Sequence, residues 1–275
     1  MFKTMFSKSL AITAMAATLG LASVSAGAVV LEDFTVDEGS VPGNNPGTVD
    51  ADKINGGYTE VITFDGVGGF ETHAYADLGQ FFTNDGTTLV SSQLNTNYGL
   101  YALFEATGTV TVGPVITFTG ATGEFEMWID PNQDTVKTPG ATGSDPVTLA
   151  NTSDDYLIAF TTTGGLVGGT GVLVPGVGGF FDLVWDDFTL TTGDQNATSP
   201  GDQNGQGYFI SPNPFYLTAN VDGDFDSFEI AGTQTINGDV SVVFLVPEPG
   251  SLALMGLGLT GLGMVARRRK STQAC

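Results

Sequence analysis

The sequence has 275 residues and a formal net charge of −22, because 30 acidic side chains outnumber the eight lysines and arginines. Such a charge repels DNA, RNA and anionic lipid, so the composition excludes nucleic acid as a partner and favours divalent cations. The single cysteine, Cys275, and the single histidine, His73, exclude a disulfide framework and a His-rich zinc site of the usual catalytic kind.

The first 26 residues have the layout of a secretory signal peptide. Lys3 and Lys8 precede an apolar run from Leu10 to Ala22, and the small residues around Ser25 follow it. A charged segment, an apolar core and a small-residue site are the features that signal peptidase recognises. We expect cleavage after Ala26, with cleavage after Ala28 as the alternative, which makes residues 27–245 the exported body.

The body is more acidic than the whole chain. It holds two basic residues, Lys53 and Lys137, against 29 acidic ones, a net charge of −27. An acidic polysaccharide would be repelled by this surface unless cations bridge the two. Divalent ions are therefore the partners that the charge predicts.

Short β-branched and aromatic runs, separated by Gly, Thr, Asn and Asp, predict strands throughout the body. Tyr58–Phe64 and Phe70–Tyr75 flank Asp65-Gly66, a pattern typical of a hairpin. Glu124–Asp130 alternates, so one face of that strand is apolar, and no window has a helical period. The pattern predicts an all-β antiparallel single domain, sandwich or jelly-roll-like. The other predicted strands are Val29–Val36, Leu78–Phe82, Leu100–Phe104, Thr109–Val112, Val115–Thr119, Tyr156–Phe160, Leu166–Val174, Phe180–Leu190, Tyr208–Ile210, Phe215–Ala219, Phe225–Ile230 and Val240–Val246.

Two acidic segments have the alternating oxygen ligands of half a Ca²⁺ loop. The first is Asp130, Asn132 and Asp134, but Thr135 stands where an EF-hand has glycine. The second is Asp222, Asp224 and Asp226. Weak Ca²⁺ binding at one or both segments is the hypothesis, and a solvated acidic turn is the alternative.

Catalysis has few candidates in this sequence. Glycoside cleavage needs two carboxyl groups at a fixed separation, and the pairs near a tryptophan are Asp186/Asp187 and Glu124/Glu126. Adjacency to tryptophan is expected by chance in so acidic a chain, and His73 is expected at an exposed or edge position. We therefore expect no enzymatic activity. The aromatic residues could instead stack on sugar rings, although core packing is the expected use of Trp128; these residues are Trp128, Trp185, Tyr58, Tyr75 and Tyr101.

The C-terminal segment, residues 246–275, combines three signals. Val246, Pro247, Glu248 and Pro249 form an extended stretch, because proline fixes its own φ and keeps the preceding residue out of the helical region. Leu252 to Ala266 is uncharged and spans about 22 Å as a helix, short against a bilayer core of about 30 Å. The basic cluster then keeps its end in the cytoplasm; it consists of Arg267, Arg268, Arg269 and Lys270.

This order of signals resembles the PEP-CTERM sorting signal of Gram-negative bacteria. The resemblance implies recognition by exosortase, a membrane cysteine protease-transpeptidase, in cells that make exopolysaccharide. It also implies transient residence in the inner membrane through the short helix. An ordinary single-pass anchor is the alternative.

Other segments resemble the flocculation-associated PEP-CTERM proteins, which hold cells within exopolysaccharide. That resemblance implies a surface or matrix protein that promotes floc or biofilm formation, and it implies no catalytic residue. The alternatives are a carbohydrate-binding or carbohydrate-cleaving β-sandwich and a self-assembling surface-layer subunit. The segments that carry the resemblance are Phe34–Ser40, Ala51–Tyr58, Gly79–Thr87, Tyr98–Phe104 and Ile129–Thr135.

Overall fold

A computed structural model describes residues 31–191 and 205–245 of the chain, and almost every regular element in these ranges is a strand. The all-β antiparallel prediction is confirmed. The exceptions are a 3₁₀ turn at Glu38–Ser40 and a single α-helical turn, α1 (Gly205–Tyr208). The strands are β1 (Phe34–Asp37), β2 (Thr48–Ala51), β3 (Lys53–Phe64), β4 (Gly69–Thr83), β5 (Thr88–Leu89), β6 (Gly99–Thr111), β7 (Ile116–Asp130), β8 (Val136–Thr138), β9 (Thr148–Ala150), β10 (Tyr156–Phe160), β11 (Leu166–Val174), β12 (Gly178–Trp185), β13 (Thr189–Leu190), β14 (Phe209–Ser211), β15 (Thr218–Phe225) and β16 (Thr233–Leu245).

The largest sheet closes on itself. Its strand order is β11-β12-β15-β16-β3-β4-β6-β7, and β7 pairs back with β11 through Ile116 to Thr119. The second half of β7 pairs instead with β10, which is followed by β13. Closure removes the exposed edges that an open sheet would present, and it gives the sheet an inside and an outside.

Alternation of side chains decides which residues face each side. In β7 the predicted apolar face is confirmed, because Phe125, Met127 and Ile129 are buried inside. Glu126 and Trp128 therefore point outward and are partly buried. The inside is thus an apolar core, and the acidic residues of this strand lie on the outer face.

The predicted hairpin between β3 and β4 is confirmed. Phe64 pairs with Phe70, and the Asp65 carboxylate accepts hydrogen bonds from the backbone N–H groups of Val67 and Gly69, each at 2.8 Å. Gly66 has φ +76°, a conformation that favours glycine. These backbone donors lower the pKa of Asp65.

Two apolar clusters fill the closed sheet. One lies against the small sheet of β14, β1 and β2, where the Phe34 and Phe209 rings pack edge-to-face on Phe244 at centroid distances of 5.1 and 5.6 Å. The other contains Phe64 and Phe118. A cavity lies between the walls that these clusters form.

The hairpin β8–β9 and its connecting loop cover part of the outside. Gly143 donates its N–H to Thr63 Oγ1 at 2.8 Å, and its carbonyl oxygen lies 2.7 Å from His73 Nδ1. A Cβ on Gly143 would lie 2.0 Å from the backbone oxygen of Glu71, so only glycine permits this approach. We call the segment 136–150 the covering hairpin.

Several predicted boundaries are wrong. Phe215–Ala219 and Phe225–Ile230 are replaced by the single strand β15, because Asp222 and Asp224 point outward and need no turn. Phe180–Leu190 is divided, since β12 ends at Trp185 and β13 is a separate two-residue strand. Neither helical turn within the described ranges has the length and apolar character that a membrane span requires. The predicted signal peptide and C-terminal helix lie outside these ranges.

Candidate functional site

Three carboxylates converge on the outer face where β7 ends. Asp130, Asp154 and Asp155 each place an oxygen within 4.8 Å of the others. They meet because β10 pairs antiparallel with β7, Tyr156 opposite Ile129, so the residue that ends β7 faces the pair that precedes β10. We call this group the acidic cluster.

Local hydrogen bonds fix the geometry of the acidic cluster. Asp130 is buried and accepts from the backbone N–H groups of Asp134 at 3.3 Å and Thr135 at 3.0 Å. Asp155 Oδ2 accepts from the Tyr101 hydroxyl at 2.8 Å and from Thr135 Oγ1 at 2.7 Å. Hydrogen-bond donors therefore fix the positions of these carboxylates, but the donors are neutral and do not offset the negative charge.

Two oxygens of the cluster have no hydrogen-bond partner. They are Asp154 Oδ2 and Asp155 Oδ1, both shielded from solvent. Burial raises the pKa of both carboxyl groups, and the negative charge of Asp130 adds to the effect at each. Three like charges this close are costly unless a cation or protons neutralise them. Oxygen ligands of this kind suit Ca²⁺.

The first predicted Ca²⁺ segment contributes to the acidic cluster in part. Asp130 is a member, and the backbone N–H of Asn132 lies close enough to lower the pKa of Asp154. Asp134 lies close enough to raise the pKa of Asp154, but Asn132 and Asp134 are exposed. The other two carboxylates, those of Asp154 and Asp155, come from a second segment that the half-loop pattern did not include.

The second predicted segment does not converge. Asp222 and Asp224 lie on β15 and point outward, and Asp226 follows the strand. Within residues 31–191 and 205–245, this trio is not among the acidic groups whose oxygens approach within 4.8 Å. Burial raises the pKa of Asp222 and the neighbouring Asp182 adds to this, whereas Lys53 lowers it.

A second feature of the outer face is a cleft of about 160 Å³ beside the covering hairpin. Glu105 and Glu124 are directly opposite each other on β6 and β7, so two like charges face the same space. We call it the outer cleft. Its polar and hairpin walls come from His73, Glu105, Glu124, Glu126, Pro146 and Val147.

His73 lies at the wall of the outer cleft, and the expectation of an exposed or edge position is wrong. It is partly buried on β4, between β3 and β6. Its Nδ1 faces the Gly143 carbonyl oxygen and its Nε2 lies 3.0 Å from Glu105 Oε2. Both neighbours are acceptors, so both contacts are hydrogen bonds only when both ring nitrogens carry protons. The histidine thus joins the covering hairpin to the sheet.

The two tryptophans have opposite positions. Trp185 is fully buried and donates from Nε1 to the Gly123 carbonyl oxygen at 3.0 Å. Trp128 is partly buried on the outer face, where its ring is parallel to Tyr101 at 6.3 Å. The expectation of a core position for Trp128 is therefore wrong, because its strand neighbours Phe125 and Met127 occupy the inner face.

Three of the four candidate carboxylates for glycoside cleavage accept local hydrogen bonds. Glu126 accepts from Trp128 Nε1 at 3.1 Å, and Glu124 accepts from Thr163 Oγ1 at 2.7 Å. Asp187 accepts from the backbone N–H of Thr162 at 2.8 Å. These contacts give the carboxylates positioning roles in the fold.

Sequence reasoning missed Asp154 and Asp155 as members of the site. Asp154 and Asp155 are two adjacent acidic residues that precede a predicted strand, which was a usable signal. The segment that contains Asp130, however, lies more than twenty residues earlier in the chain. Only the pairing of β7 with β10 brings the two segments together.

The fold and the acidic cluster define an all-β domain with an acidic exterior. Residues 245–270 match the family model of the PEP-CTERM protein-sorting motif, which confirms the predicted motif. It covers Val246 to Pro249 and the basic residues Arg267 to Lys270, all outside the described residues. The motif marks the chain as an exported, exosortase-sorted protein of the cell surface. No curated protein and no solved structure matches the chain.

Proposed function

We propose that this chain is a surface or extracellular-matrix protein that promotes floc or biofilm formation together with exopolysaccharide, and that it does so without catalysis. The sorting motif at residues 245–270 is the observation that carries the proposal, because it directs the chain to the cell exterior. The resemblance of the body to flocculation-associated proteins supplies the matrix role.

The steps of export follow from the two ends of the sequence. Signal peptidase removes residues 1–26, and the short apolar segment then holds the chain in the inner membrane of a Gram-negative cell. Exosortase recognises Pro247-Glu248-Pro249 and releases the body or transfers it to another molecule. Mass spectrometry of the C-terminus from cells tests this step, and a chain ending near Pro249 is the expected result. An intact arginine cluster on the mature protein would contradict processing.

Ca²⁺ is the cofactor that we propose for this role. Asp130, Asp154 and Asp155 supply oxygen ligands, and the two unpartnered oxygens gain a partner when a cation is present. A bound divalent ion with open coordination positions can also accept carboxylate or hydroxyl oxygens of a polysaccharide. The acidic cluster would then link an acidic protein to an acidic polymer, which would otherwise repel each other.

The test uses a deletion strain complemented with variants of the full chain. Deletion should give dispersed growth with normal polysaccharide output, and the wild-type gene should restore flocs. A variant with Asp130, Asp154 and Asp155 changed to Asn should not restore them. The matched control changes Asp222, Asp224 and Asp226 to Asn, which alters the net charge equally and should restore flocs. Equal behaviour of the two triple variants would remove the acidic cluster from the proposal.

A carbohydrate-binding or carbohydrate-cleaving protein is the second candidate, and the outer cleft favours it. The cleft combines carboxylates with the nearby, partly buried ring of Trp128, and aromatic rings with polar neighbours bind sugars. A change of polysaccharide chain length in the deletion strain supports cleavage. Loss of polysaccharide binding in Trp128→Ala, with Trp128→Phe as the control, supports binding through the ring.

A further inference from the structure

A cavity of about 90 Å³ lies inside the closed sheet, between the two apolar clusters. Its walls are mainly alkyl and aromatic groups, with side chains from β3, β4, β6, β7, β12, β15 and β16. An engineered cavity of about 150 Å³ holds benzene, so about three or four non-hydrogen atoms fit here. The cavity is large enough for a small organic molecule.

Polar residues interrupt the apolar wall: besides Tyr75 and Thr170, they are Tyr58, Glu60 and Thr72. Tyr58 and Glu60 are two residues apart on β3 and face inward, and Thr72 stands beside them on β4. Thr72 Oγ1 lies 2.6 Å from Glu60 Oε1 and 3.0 Å from the Val61 carbonyl oxygen. One hydroxyl hydrogen cannot serve both acceptors, so Glu60 has at most one donor.

The Tyr58 hydroxyl has no hydrogen-bond partner, although the residue is only 7% exposed. Its ring packs edge-to-face on Phe181 at 5.4 Å. A Cβ on Gly238, opposite Tyr58 on β16, would lie 2.8 Å from the ring and 1.8 Å from the Asp224 carbonyl oxygen. Because Gly238 has no side chain, it leaves room for the Tyr58 ring. An unpaired buried hydroxyl costs about 1–3 kcal/mol.

The buried carboxylate of Glu38 provides a comparison for the hydrogen bonding of Glu60. Glu38 accepts from Ser92 Oγ at 2.5 Å, from the Gln93 N–H at 2.9 Å and from the Tyr98 hydroxyl at 3.1 Å. Glu60, in contrast, has a single side-chain donor and faces a cavity. Glu60 thus retains acceptor capacity that a ligand can use.

We propose that this cavity binds a small organic ammonium ion, with the cation between Glu60 and Tyr58 and its alkyl chain among the aromatic rings. A carboxylate supplies the opposite charge, the phenol oxygen accepts an N–H, and ring faces attract cations. The net negative charge of the body also raises the local concentration of cations. The rings in the wall are Phe70, Phe104, Phe118, Phe125, Phe181 and Phe225.

The acid–base state of Glu60 agrees with this choice of ligand. Burial raises the pKa of Glu60 to about 7, while the hydrogen bond from Thr72 opposes the shift. A cation stabilises the ionised form, so binding below pH 7 should release a proton from Glu60. Tyr58 and Tyr75 are the other titratable residues of the wall, and burial raises the pKa of Tyr58 further above its ordinary value.

The experiment titrates the full chain with n-propylammonium and, as the neutral control of equal size, n-propanol. Binding is followed by NMR of the cavity side chains and by calorimetry in two buffers, which measures proton release. We expect millimolar binding of n-propylammonium with proton release near pH 6. We expect binding of n-propanol to be weaker by about tenfold, because it cannot pair with the carboxylate.

Three variants make the result decisive. Glu60→Gln should lower n-propylammonium affinity by about tenfold and abolish proton release, and Tyr58→Phe should lower the affinity by about threefold. Ala74→Leu, which fills space beside Glu60, should block both probes. Equal affinity of wild type and Glu60→Gln, or shifts confined to outer-face acids and unchanged in Ala74→Leu, would overturn the proposal. Failure of Glu60→Gln to fold leaves the other two variants to decide it.

Discussion

The cavity and the acidic cluster hold carboxyl groups with too few partners, but on opposite sides of one sheet. Inside, Glu60 is the one carboxyl group among the described residues of the cavity wall, so a single proton can neutralise it. Outside, Asp130, Asp154 and Asp155 crowd together, so a divalent cation can neutralise them at once. The difference shows that the surroundings of a carboxyl group select its counter-charge. An isolated acid suits a proton or a monovalent cation, whereas a cluster suits Ca²⁺.

The largest expected effect compares the two tryptophans on the two sides of the sheet. Trp185→Ala should destabilise the fold by about 3–5 kcal/mol, because it removes a fully buried ring and a buried hydrogen bond. Trp128→Ala should cost about 1 kcal/mol, since this ring is partly exposed. Urea unfolding of both variants measures the difference. Equal losses would contradict the division into an apolar inside and a polar outside.

The second prediction concerns the pH dependence of stability. Between pH 4.5 and 7 the folded chain keeps the Glu60 proton that the unfolded chain releases, so stability falls as pH rises. The loss from this group should reach about 3 kcal/mol above pH 7. Glu60→Gln should remove that part of the slope. Unfolding free energies of both proteins at pH 5 and pH 8 measure it, and parallel profiles would show that Glu60 ionises without cost.

The third prediction sharpens the outer half of the comparison. Ca²⁺ at ten times its dissociation constant should stabilise the wild type by about 1.4 kcal/mol, and chelation should reverse this. Asp154→Asn with Asp155→Asn should abolish the response, while Asp222→Asn with Asp224→Asn should keep it. Melting temperatures with Ca²⁺ and with EDTA measure the effect. A response lost only in the second double variant would move the site to β15.

The fourth prediction concerns the covering hairpin. Gly143→Ala should cost about 1–3 kcal/mol and release the hairpin, because the added methyl meets the Glu71 backbone. Hydrogen exchange of residues 136–150 should speed up in this variant and remain unchanged elsewhere. Gly164→Ala is the matched control, since nothing lies within 4 Å of a Cβ there. Identical exchange in both variants would argue against tight docking.

The smallest expected effect is that of the ion pair between His73 and Glu105. A double-mutant cycle with alanine at both positions should give a coupling below about 1 kcal/mol, because the Glu105 side chain is 45% exposed. The single variants are measured by urea unfolding at pH 6. A larger coupling would indicate that this pair, rather than Gly143, holds the covering hairpin.

The sequence predicted local features better than distant ones. Alternation in Glu124–Asp130 and the turn at Asp65-Gly66 depend on neighbouring residues, and both predictions are confirmed. The closure of β7 on β11 and the meeting of Asp130 with Asp154 depend on strand pairing between distant segments, which leaves no local pattern. Asp222-Gly223-Asp224 indicated a turn, but a strand exposed on one face tolerates these residues.

The position of β16 has a consequence for the order of folding. In the sheet, β16 lies between β3 and β15. The ring therefore cannot close beside β3, one of the first long strands in the chain, until β16, the last described strand, is present. The last strand ends at Leu245, where the sorting motif begins. The closed domain therefore cannot assemble until nearly all of its residues have been translocated. Once the domain has assembled, no spacer separates its last strand from the segment that the processing enzyme must bind.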